Sequence, residues 1–400
     1  MQLRFLLGFF ALGICSTSVL AQDSPLTKID PNKLPAPYIS PSADNGSQFV
    51  RRPEGATLRA PMGFQVEIYA ERLSNPRWCA PAPNGDVFVA ESGTGRVVVL
   101  REQEGAKKAF PINIFANNLD YPFGILFHEG YVYIGCRTEV LRYRYKPGQT
   151  RADQTPERIL RDLPGEGHRS RNLVFNPQTG KILITIGSSK DFGEETDARR
   201  ATICEFNPDG SGFRIFATGL RNACGMGLNP NGGDLWTVVN ERDALGDDLV
   251  PDYATSVKAD GFYGWPYYYI GKYHDPRLPE KPDLRDKSLT PDVILTSHVA
   301  SLGMTFYTGK QFPKEYQGDL FVAQHGSGNR TKRVGYDIVR VPFKNGKPVG
   351  GFKEFVGGWM LGEDDKRVWG RPVGVFQAND GALLVTDDGA NRIWRVSYKK

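Results

Sequence analysis

The chain has 400 residues, of which 40% are hydrophobic and 24% are charged, as in an ordinary globular protein. Its 50 basic and 45 acidic residues leave a net charge of +5, too small for the strongly basic face of a nucleic-acid-binding protein. The 45 glycines and 28 prolines exceed the usual share of these residues and indicate a fold of many short strands and turns.

The first residues have the pattern of a secretory signal peptide. Arg4 precedes an apolar run over residues 5–15, and small residues lead to Ala21. The run is too short to span a bilayer. We therefore expect residues 1–21 to be a signal peptide cleaved after Ala21, and the protein to be exported to the periplasm or the cell exterior. The alternative is a buried N-terminal strand.

Four cysteines follow the predicted cleavage site, and no two of them have Cys-x-x-Cys spacing. Without that spacing, an attached c-type haem and the common zinc clusters are excluded. Export permits disulfides, and four cysteines allow three pairings. Four buried free thiols are an equal alternative. The cysteines are Cys79, Cys136, Cys204 and Cys224.

Residues 22–62, called the lead-in below, are rich in proline and show no helical or strand period. They predict an extended or partly disordered segment.

A repeated unit follows the lead-in. A strand-like run, a turn with glycine and a second strand recur six times, in most cases followed by a third strand. Units of about 40–50 residues with several strands are typical of propeller blades. The sequence therefore predicts an all-β, six-bladed β-propeller over residues 63–400, with a β-sandwich or a solenoid as the alternative. The turn glycines are Gly85, Gly130, Gly180, Gly233, Gly318 and Gly381.

The two ends of the repeat predict how the ring closes. The sixth unit has room for only three strands before Lys400. Residues 64–70 form a strand-like run without a partner before the first unit. We expect this N-terminal strand to complete blade six, which would remove an exposed edge.

An insertion at about 250–297 enlarges the fourth unit. It contains the aromatic stretch Gly-Phe-Tyr-Gly-Trp-Pro-Tyr-Tyr-Tyr over residues 261–269. Loops of this length in compact domains are usually functional or disordered, and the aromatic residues argue against disorder. We expect a lid or wall beside the central pocket. A structural cover over an outer blade is the alternative.

Candidate ligand-binding residues come just before the first strands of units three to six. They are His168, the pair Arg221-Asn222, His298 and Arg371. If they converge at one end of the channel, they make a cationic pocket that suits a polyanionic ligand. A histidine is also a natural base for a hydroxyl proton. Each residue alone could instead be structural.

Acidic residues follow the second strand of unit four. Four Asp and one Glu lie between Asn240 and Asp252, and their oxygens could bind Ca²⁺. A solvated acidic turn is the alternative. The second strand of unit five ends in Gln-His-Gly-Ser at 324–327, which could bind a ligand or only form the turn.

From about residue 64 onward, the chain resembles the soluble, exported quinoprotein sugar dehydrogenases of the glucose/sorbosone branch. The motifs are Gly-Leu-Arg-Asn at 219–222, Val-Asn-Glu-Arg-Asp-x-Leu-Gly-Asp-Asp at 239–248, Gly-Phe-Tyr-Gly-Trp-Pro at 261–266, Gln-His-Gly-Ser at 324–327 and Gly-Arg-Pro-Val at 370–373. The resemblance implies a six-bladed propeller that uses pyrroloquinoline quinone (PQQ) and Ca²⁺ to oxidise an aldose or sugar aldehyde.

The resemblance also implies roles for single residues. His168 would be the general base and Arg221 would stabilise charge on the reduced cofactor. Calcium would polarise the quinone. The implied cofactor-binding residues are Asn222, Glu241, His298, Gln324, Arg330 and Arg371. The implied metal ligands are the backbone carbonyls of Arg242 and Asp243, with Asp247 and Asp248 as ligands of a second calcium ion or, alternatively, as braces of the loop.

The sequence departs from the glucose enzymes near the expected base and cofactor. Gly167 stands where they have an acidic residue before the base, a second acid is replaced around Ser188, and Trp369 replaces an arginine. We expect a small sugar as substrate and a separate electron acceptor, since the chain has no haem motif. The alternatives are a lactonase-like calcium-dependent hydrolase and a non-catalytic propeller that binds glycans or proteins.

Overall fold

Six four-stranded antiparallel sheets are arranged in a ring in the computed structural model, which describes residues 24–102 and 107–399. The signal peptide predicted at 1–21 lies outside the described residues. The innermost strand of each sheet contacts the innermost strands of both neighbouring sheets. The six-bladed β-propeller is therefore confirmed.

The strand bounds are given from the innermost strand outwards. Blades one to three contain Pro76–Pro81, Val87–Glu91, Arg96–Glu102 and Ala109–Ala116; Ile125–His128, Tyr131–Gly135, Val140–Arg144 and Glu157–Leu160; Leu173–Asn176, Lys181–Ile186, Thr202–Phe206 and Arg214–Thr218. Blades four to six contain Ala223–Leu228, Leu235–Val239, Pro251–Ser256 and Val293–Ser297; Ser301–Phe306, Leu320–Gln324, Asp337–Val341 and Lys353–Val356; Pro372–Gln377, Leu383–Asp387, Arg392–Tyr398 and Phe64–Ala70.

The remaining elements are short and lie in loops. They are the parallel pair Gln48–Phe49 and Arg367–Val368, the hairpins Tyr268–Tyr269 with Tyr273–His274 and Phe343–Lys344 with Lys347–Pro348, the helix Pro282–Arg285, and the 3-10 turns Ser92–Thr94 and Lys314–Tyr316.

The ring closes as the sequence predicted. Phe64–Ala70 pairs antiparallel with Arg392–Tyr398 and is the outermost strand of blade six. Blade six thus joins the first and last propeller strands of the chain, and its third strand has no free edge.

Apolar side chains fill the gaps between neighbouring blades. Six buried clusters each join two adjacent sheets. The second strand of each blade is therefore buried on both faces, which explains why its sequence is a nearly continuous apolar run. The four cysteines after residue 21 are buried and free, which settles the open choice in favour of thiols. Burial raises the pKa of Cys204 and Cys224 to about 11, so these thiols stay protonated and act as small apolar groups.

The turn glycines have the conformation that the repeat requires. All six have positive φ, between 68° at Gly180 and 94° at Gly85, where a residue with a side chain would be strained.

The predicted insertion begins and ends in regular structure. Pro251–Ser256 and Val293–Ser297 are the third and fourth strands of blade four, so the irregular part covers residues 257–292. The part of the lead-in from residue 24 is extended and hydrogen-bonded to the propeller at several points. Among the described residues, no helix is long and apolar enough to cross a membrane.

Candidate active site at the channel mouth

One end of the channel, called the mouth below, collects the predicted site residues. Innermost strands begin there and second strands end there, because the two are antiparallel. His168, Arg221, His298 and Arg371 lie just before innermost strands, so the fold brings them to this end. The innermost strands of blades one, four, five and six have register irregularities near their start, a common feature beside active sites.

His168 is held as a neutral imidazole. Its Nδ1 lies 2.8 Å from the carbonyl oxygen of Ser188, which can only accept, so Nδ1 carries the proton. Burial, followed by the positive charge of Arg221, lowers the pKa of His168 to about 3. Nε2 makes no hydrogen bond within the described chain. It therefore keeps its lone pair and can accept a proton at neutral pH.

Gly187 lets His168 and Asn222 approach each other. A Cβ at position 187 would lie 2.5 Å from Asn222 Oδ1 and 2.6 Å from His168 Cβ. Any larger residue would push the two side chains apart. The glycine after the second strand of blade three is thus part of the site geometry.

Arg221 is fixed by a carboxylate that the sequence analysis did not single out. Its Nη2 donates to Asp191 Oδ1 at 2.8 Å, and its Nη1 donates to the carbonyl oxygens of Asn240 and Glu241 at 3.0 and 2.8 Å. Asp191 also accepts from the backbone N–H of Asp243 at 2.9 Å. Arg221 is 5% exposed, so its charge is oriented by the protein at the edge of the mouth.

The segment from Asn240 to Asp248 is called the mouth loop below. Its carbonyl and carboxylate oxygens accept hydrogen bonds from donors of the protein. The carbonyl oxygen of Asp243 accepts from Arg277 Nη1 at 3.0 Å, and that of Asp247 accepts from Arg330 Nη1 at 2.7 Å. The Asp248 carboxylate pairs with Arg330 Nη2 at 2.7 Å, and the Asp247 carboxylate accepts a backbone N–H. The Arg242 carbonyl accepts from a backbone N–H at 3.4 Å.

His298 also binds the mouth loop. Its Nδ1 lies 2.7 Å from Asp243 Oδ1, and its Nε2 lies 2.9 Å from the carbonyl oxygen of Gly246. Both partners accept, so the ring carries two protons and a positive charge. Burial opposes that charge, but these hydrogen bonds outweigh it and raise the pKa of His298 above its ordinary value. His298 therefore braces the loop with both ring nitrogens.

The predicted calcium ligands do not surround an open position. The carbonyl oxygens of Arg242, Asp243 and Asp247 and one carboxylate oxygen each of Asp247 and Asp248 already accept from a protein N–H, and three of these five donors are guanidinium N–H groups. The described residues also hold no group of three His, Cys, Asp or Glu side chains arranged for a metal ion. This donor set does not fit Ca²⁺, which needs six to eight oxygens at 2.3–2.6 Å.

A second cluster lies on the blade six side of the mouth. His325 Nε2 lies 2.9 Å from Asp388 Oδ1, and Arg77 Nη1 donates to Asp388 Oδ2 at 2.6 Å. Burial lowers the pKa of His325 to about 4. Arg371 Nε donates to the His325 carbonyl at 3.2 Å, and Arg371 forms no ion pair within the described chain. Its charge is therefore available to an anion.

The insertion is tied to the mouth loop by a buried arginine. Arg242 has no exposed surface, and its guanidinium pairs with Glu241 at 2.9 Å and Asp275 at 3.1 Å. It also donates to the carbonyl oxygens of Pro266 and Tyr268 at 2.5 and 2.7 Å. The insertion is therefore anchored to the mouth loop through Arg242.

The lead-in crosses the same loops on the outside. Ser40 Oγ accepts from the backbone N–H of Asp247, and Asn45 Nδ2 donates to the carbonyl oxygen of Arg330 at 3.1 Å. Phe49 lies against Arg371, whose guanidinium carbon is 5.9 Å from the ring centroid. The lead-in thus covers part of the mouth beside blades four to six.

Several buried polar atoms at the mouth have no hydrogen-bond partner within the described chain. They include Asn222 Oδ1, Glu241 Oε1, Gln324 Nε2 and the Nε atoms of Arg77 and Arg330. Such atoms are rare in folded proteins and call for a ligand or water. Gln324 Nε2 and the unpaired Arg371 suit acceptor or anionic groups, whereas the two oxygens need donors, so together they favour a polar ligand at this end.

The sequence analysis missed Asp191, Asp275, Arg277 and Asp388. Asp191 and Asp388 follow the second strands of blades three and six, just as the mouth loop follows the second strand of blade four. A comparison of equivalent positions in the repeat could have found them. Asp275 and Arg277 lie in the irregular part of the insertion and have no periodic signal.

The fold and the mouth define a class of protein: a six-bladed β-propeller with a neutral histidine and several arginines at one end of its channel. A family model described as TrAA12-like matches residues 58–258 and 282–399. The chain belongs to the TrAA12-like family. Residues 259–281, which carry Asp275 and Arg277, fall between the two matched segments.

Known relatives agree with this placement. An uncharacterized protein of Borreliella burgdorferi is 29% identical over 358 residues, which cover 86% of this chain and 92% of the relative. A pyrroloquinoline quinone-dependent sugar dehydrogenase of Hypocrea jecorina is 24% identical over 204 residues, 46% of this chain. The match spans 47% of that enzyme, about half its length.

A solved structure of a Trichoderma reesei enzyme of carbohydrate-active enzyme family AA12 has the same fold. Its TM-score is 0.74 at 20% identity, and the match covers 89% of this chain and 100% of that chain. The resemblance to the soluble PQQ-dependent sugar dehydrogenases, which the motifs predicted, is confirmed.

Proposed function

We propose that the protein is a PQQ-dependent dehydrogenase that oxidises an aldose or sugar aldehyde, with His168 as the general base. The observation that carries this proposal is the state of His168. Its Nδ1 proton is fixed on Ser188, its pKa is lowered to about 3, and its Nε2 has no partner within the described chain. Membership of the TrAA12-like family and the similarity of the chain to a PQQ-dependent sugar dehydrogenase of Hypocrea jecorina support the choice of reaction.

The polar groups of the mouth fit the proposed cofactor. PQQ carries three carboxylates and quinone oxygens, which need cations and hydrogen-bond donors. Arg371 has no ion pair within the described chain, and the buried Gln324 Nε2 is an unused donor. The further cofactor-binding residues of the proposal are Asn222, Glu241, His298 and Arg330.

Bound PQQ would supply the acceptor for a hydride from the sugar carbon. His168 Nε2 takes the proton of the sugar hydroxyl, and the Ser188 carbonyl keeps the ring oriented. Arg221, held by Asp191, presents a fixed positive charge beside His168 as negative charge develops. Calcium remains a prediction of the resemblance. No step here uses it, because its expected ligands are bound to protein donors.

Reconstitution tests the proposal. We expect purified apoprotein to bind added PQQ, to acquire the quinone absorption, and to reduce a dye when an aldose is added. His168→Ala should lower kcat by about 10²–10⁴-fold because the proton has no acceptor, while PQQ affinity stays near that of the wild type. His128→Ala is the matched control, since His128 stacks on Phe175 at the opposite end of blade two.

Two outcomes would contradict the proposal. Apoprotein that binds no PQQ, with or without calcium, is not a quinoprotein. If His168→Ala retained full kcat, the protein could still use PQQ, but His168 would not be the general base. Calcium-dependent hydrolysis of a sugar lactone without quinone is the result that the lactonase alternative predicts.

The proposal includes a separate electron acceptor and export from the cytoplasm. The pattern of residues 1–21 supports export, and sequencing the N-terminus of the mature protein tests it. Re-oxidation of the reduced protein by a quinone or cytochrome, followed by absorption, tests the acceptor.

A further inference from the structure

Cations of the protein already surround the mouth loop, where the family resemblance would put a calcium ion. Arg221, Arg277, Arg330 and His298 all donate to its carbonyl oxygens. A carbonyl that accepts from a guanidinium keeps a second lone pair, but a calcium ion bound there would face the positive charge of the donor. The loop therefore has its positive partners built in.

Arg277 contacts one of the predicted calcium ligands directly. Its Nη1 donates to the Asp243 carbonyl oxygen at 3.0 Å and lies 3.8 Å from Asp191 Oδ2. Its side chain is 13% exposed. A divalent ion on the same carbonyl would sit a few ångströms from this guanidinium, and the two charges would repel each other.

The position of Arg277 is fixed from behind. Its Nε and Nη2 donate to the two oxygens of Asp275 at 2.9 and 2.7 Å, in the two-point geometry that suits a guanidinium. Asp275 is fully buried and also pairs with Arg242. The face of Arg277 lies 3.9 Å from the ring centroid of Phe192. The arginine is therefore held in one orientation.

Arg277 belongs to a part of the chain that the family model does not match. The matched segments end at residue 258 and resume at residue 282. The charge at the Asp243 carbonyl is thus supplied from residues 259–281, which lie between the two matched segments.

We infer that the chain binds its quinone cofactor without a divalent metal ion, with the Arg277 guanidinium supplying the positive charge that calcium would supply at the Asp243 carbonyl. The inference rests on the proposed function. A guanidinium suits this task because it is always charged and its N–H groups bind carboxylate and carbonyl oxygens directionally.

The test measures binding and not turnover. Apoprotein is freed of metal with EDTA and titrated with PQQ, once in EDTA and once in millimolar calcium. Binding is followed by quenching of tryptophan fluorescence and by the PQQ that passes a filter. We expect PQQ to bind in EDTA. Calcium should change the dissociation constant by less than about threefold, which corresponds to about 0.7 kcal/mol in binding free energy.

Arg277→Gln tests the residue itself. The loss of one charge-assisted hydrogen-bonding group should weaken PQQ binding in EDTA by about 10–100-fold. Calcium should restore part of that loss, because the Asp243 carbonyl is then open to the ion. Arg277→Lys should be intermediate. Arg285→Gln is the matched control, since Arg285 lies in the same insertion, is about half exposed and, among the residues that the structure describes, forms an ion pair only with the neighbouring Asp286.

Arg277→Gln leaves Asp275 with one partner fewer, so the double variant Arg277→Gln with Asp275→Asn is titrated beside it. The wild-type comparison between EDTA and calcium needs no variant at all. Wild-type protein that binds PQQ only in calcium overturns the inference and leaves the proposed function intact. Unchanged binding by the folded Arg277 variants in EDTA also overturns it. Failure to bind PQQ in either buffer rejects the proposed function instead.

Discussion

His168 and His325 lie at the mouth in surroundings that disfavour the positively charged imidazolium in the apoprotein. Their pKa values are lowered to about 3 and about 4, in both cases mainly by burial. Unfolded histidines titrate near 6.5. Between these values the unfolded chain binds protons that the folded protein does not, so the folded protein loses stability as the pH falls below about 6.5.

This difference predicts the pH dependence of stability in the apoprotein. His168→Gln cannot take up a proton in either state, so it should reduce the loss of stability between pH 6.5 and pH 5 by about 2 kcal/mol. Urea unfolding of wild type and variant at several pH values measures this. Parallel stability curves for the two proteins would show that His168 titrates normally. His325→Gln should act in the same direction.

At the scale of elements, Arg242 joins the insertion to the mouth loop. Arg242→Met removes a buried guanidinium and leaves the carboxylates of Glu241 and Asp275 without it. We expect a loss of about 3–5 kcal/mol in the free energy of unfolding, because breaking a buried pair strands its partner charges. Residues 259–281 should also exchange their amide hydrogens faster.

Arg285→Met is the control for this prediction, because it removes an exposed arginine from the same insertion. If Arg242→Met lowered the free energy of unfolding no more than this control, the contacts of Arg242 between the insertion and the mouth loop would not stabilise the fold.

The elements also explain what the sequence could and could not predict. Turn glycines such as Gly180 and apolar strands recur along the chain, so the blades could be found from local pattern. His168 and Arg371 could be found because they precede innermost strands. Arg277 could not, because its role depends on Asp243 and Asp275, which only the folded insertion brings together. The order in the lead-in likewise comes from distant partners, such as Arg330 for Asn45.

At the scale of the whole molecule, the ring is closed by hydrogen bonds and aromatic packing and not by a covalent bond. Phe64, the first residue of the closing strand, lies edge-on to four aromatic rings at centroid distances of 4.8–5.1 Å. These rings come from blades five and six, so this one side chain connects the N-terminal strand to two blades. They belong to Phe312, Tyr316, Phe355 and Tyr398.

Phe64→Ala therefore tests how much the closure contributes to the stability of the entire propeller. We expect the free energy of unfolding to fall by about 3 kcal/mol, because the substitution leaves a cavity among aromatic rings. Phe110→Ala is the matched control, since Phe110 also lies on an outermost strand but is 49% exposed. It should change stability by less than about 0.5 kcal/mol. Equal effects in urea unfolding would mean that closure at blade six stabilises the ring no more than any outer strand does. A larger effect of Phe64→Ala with a single cooperative transition would show that all six blades depend on this contact, because unfolding of blade six alone would appear as a separate transition.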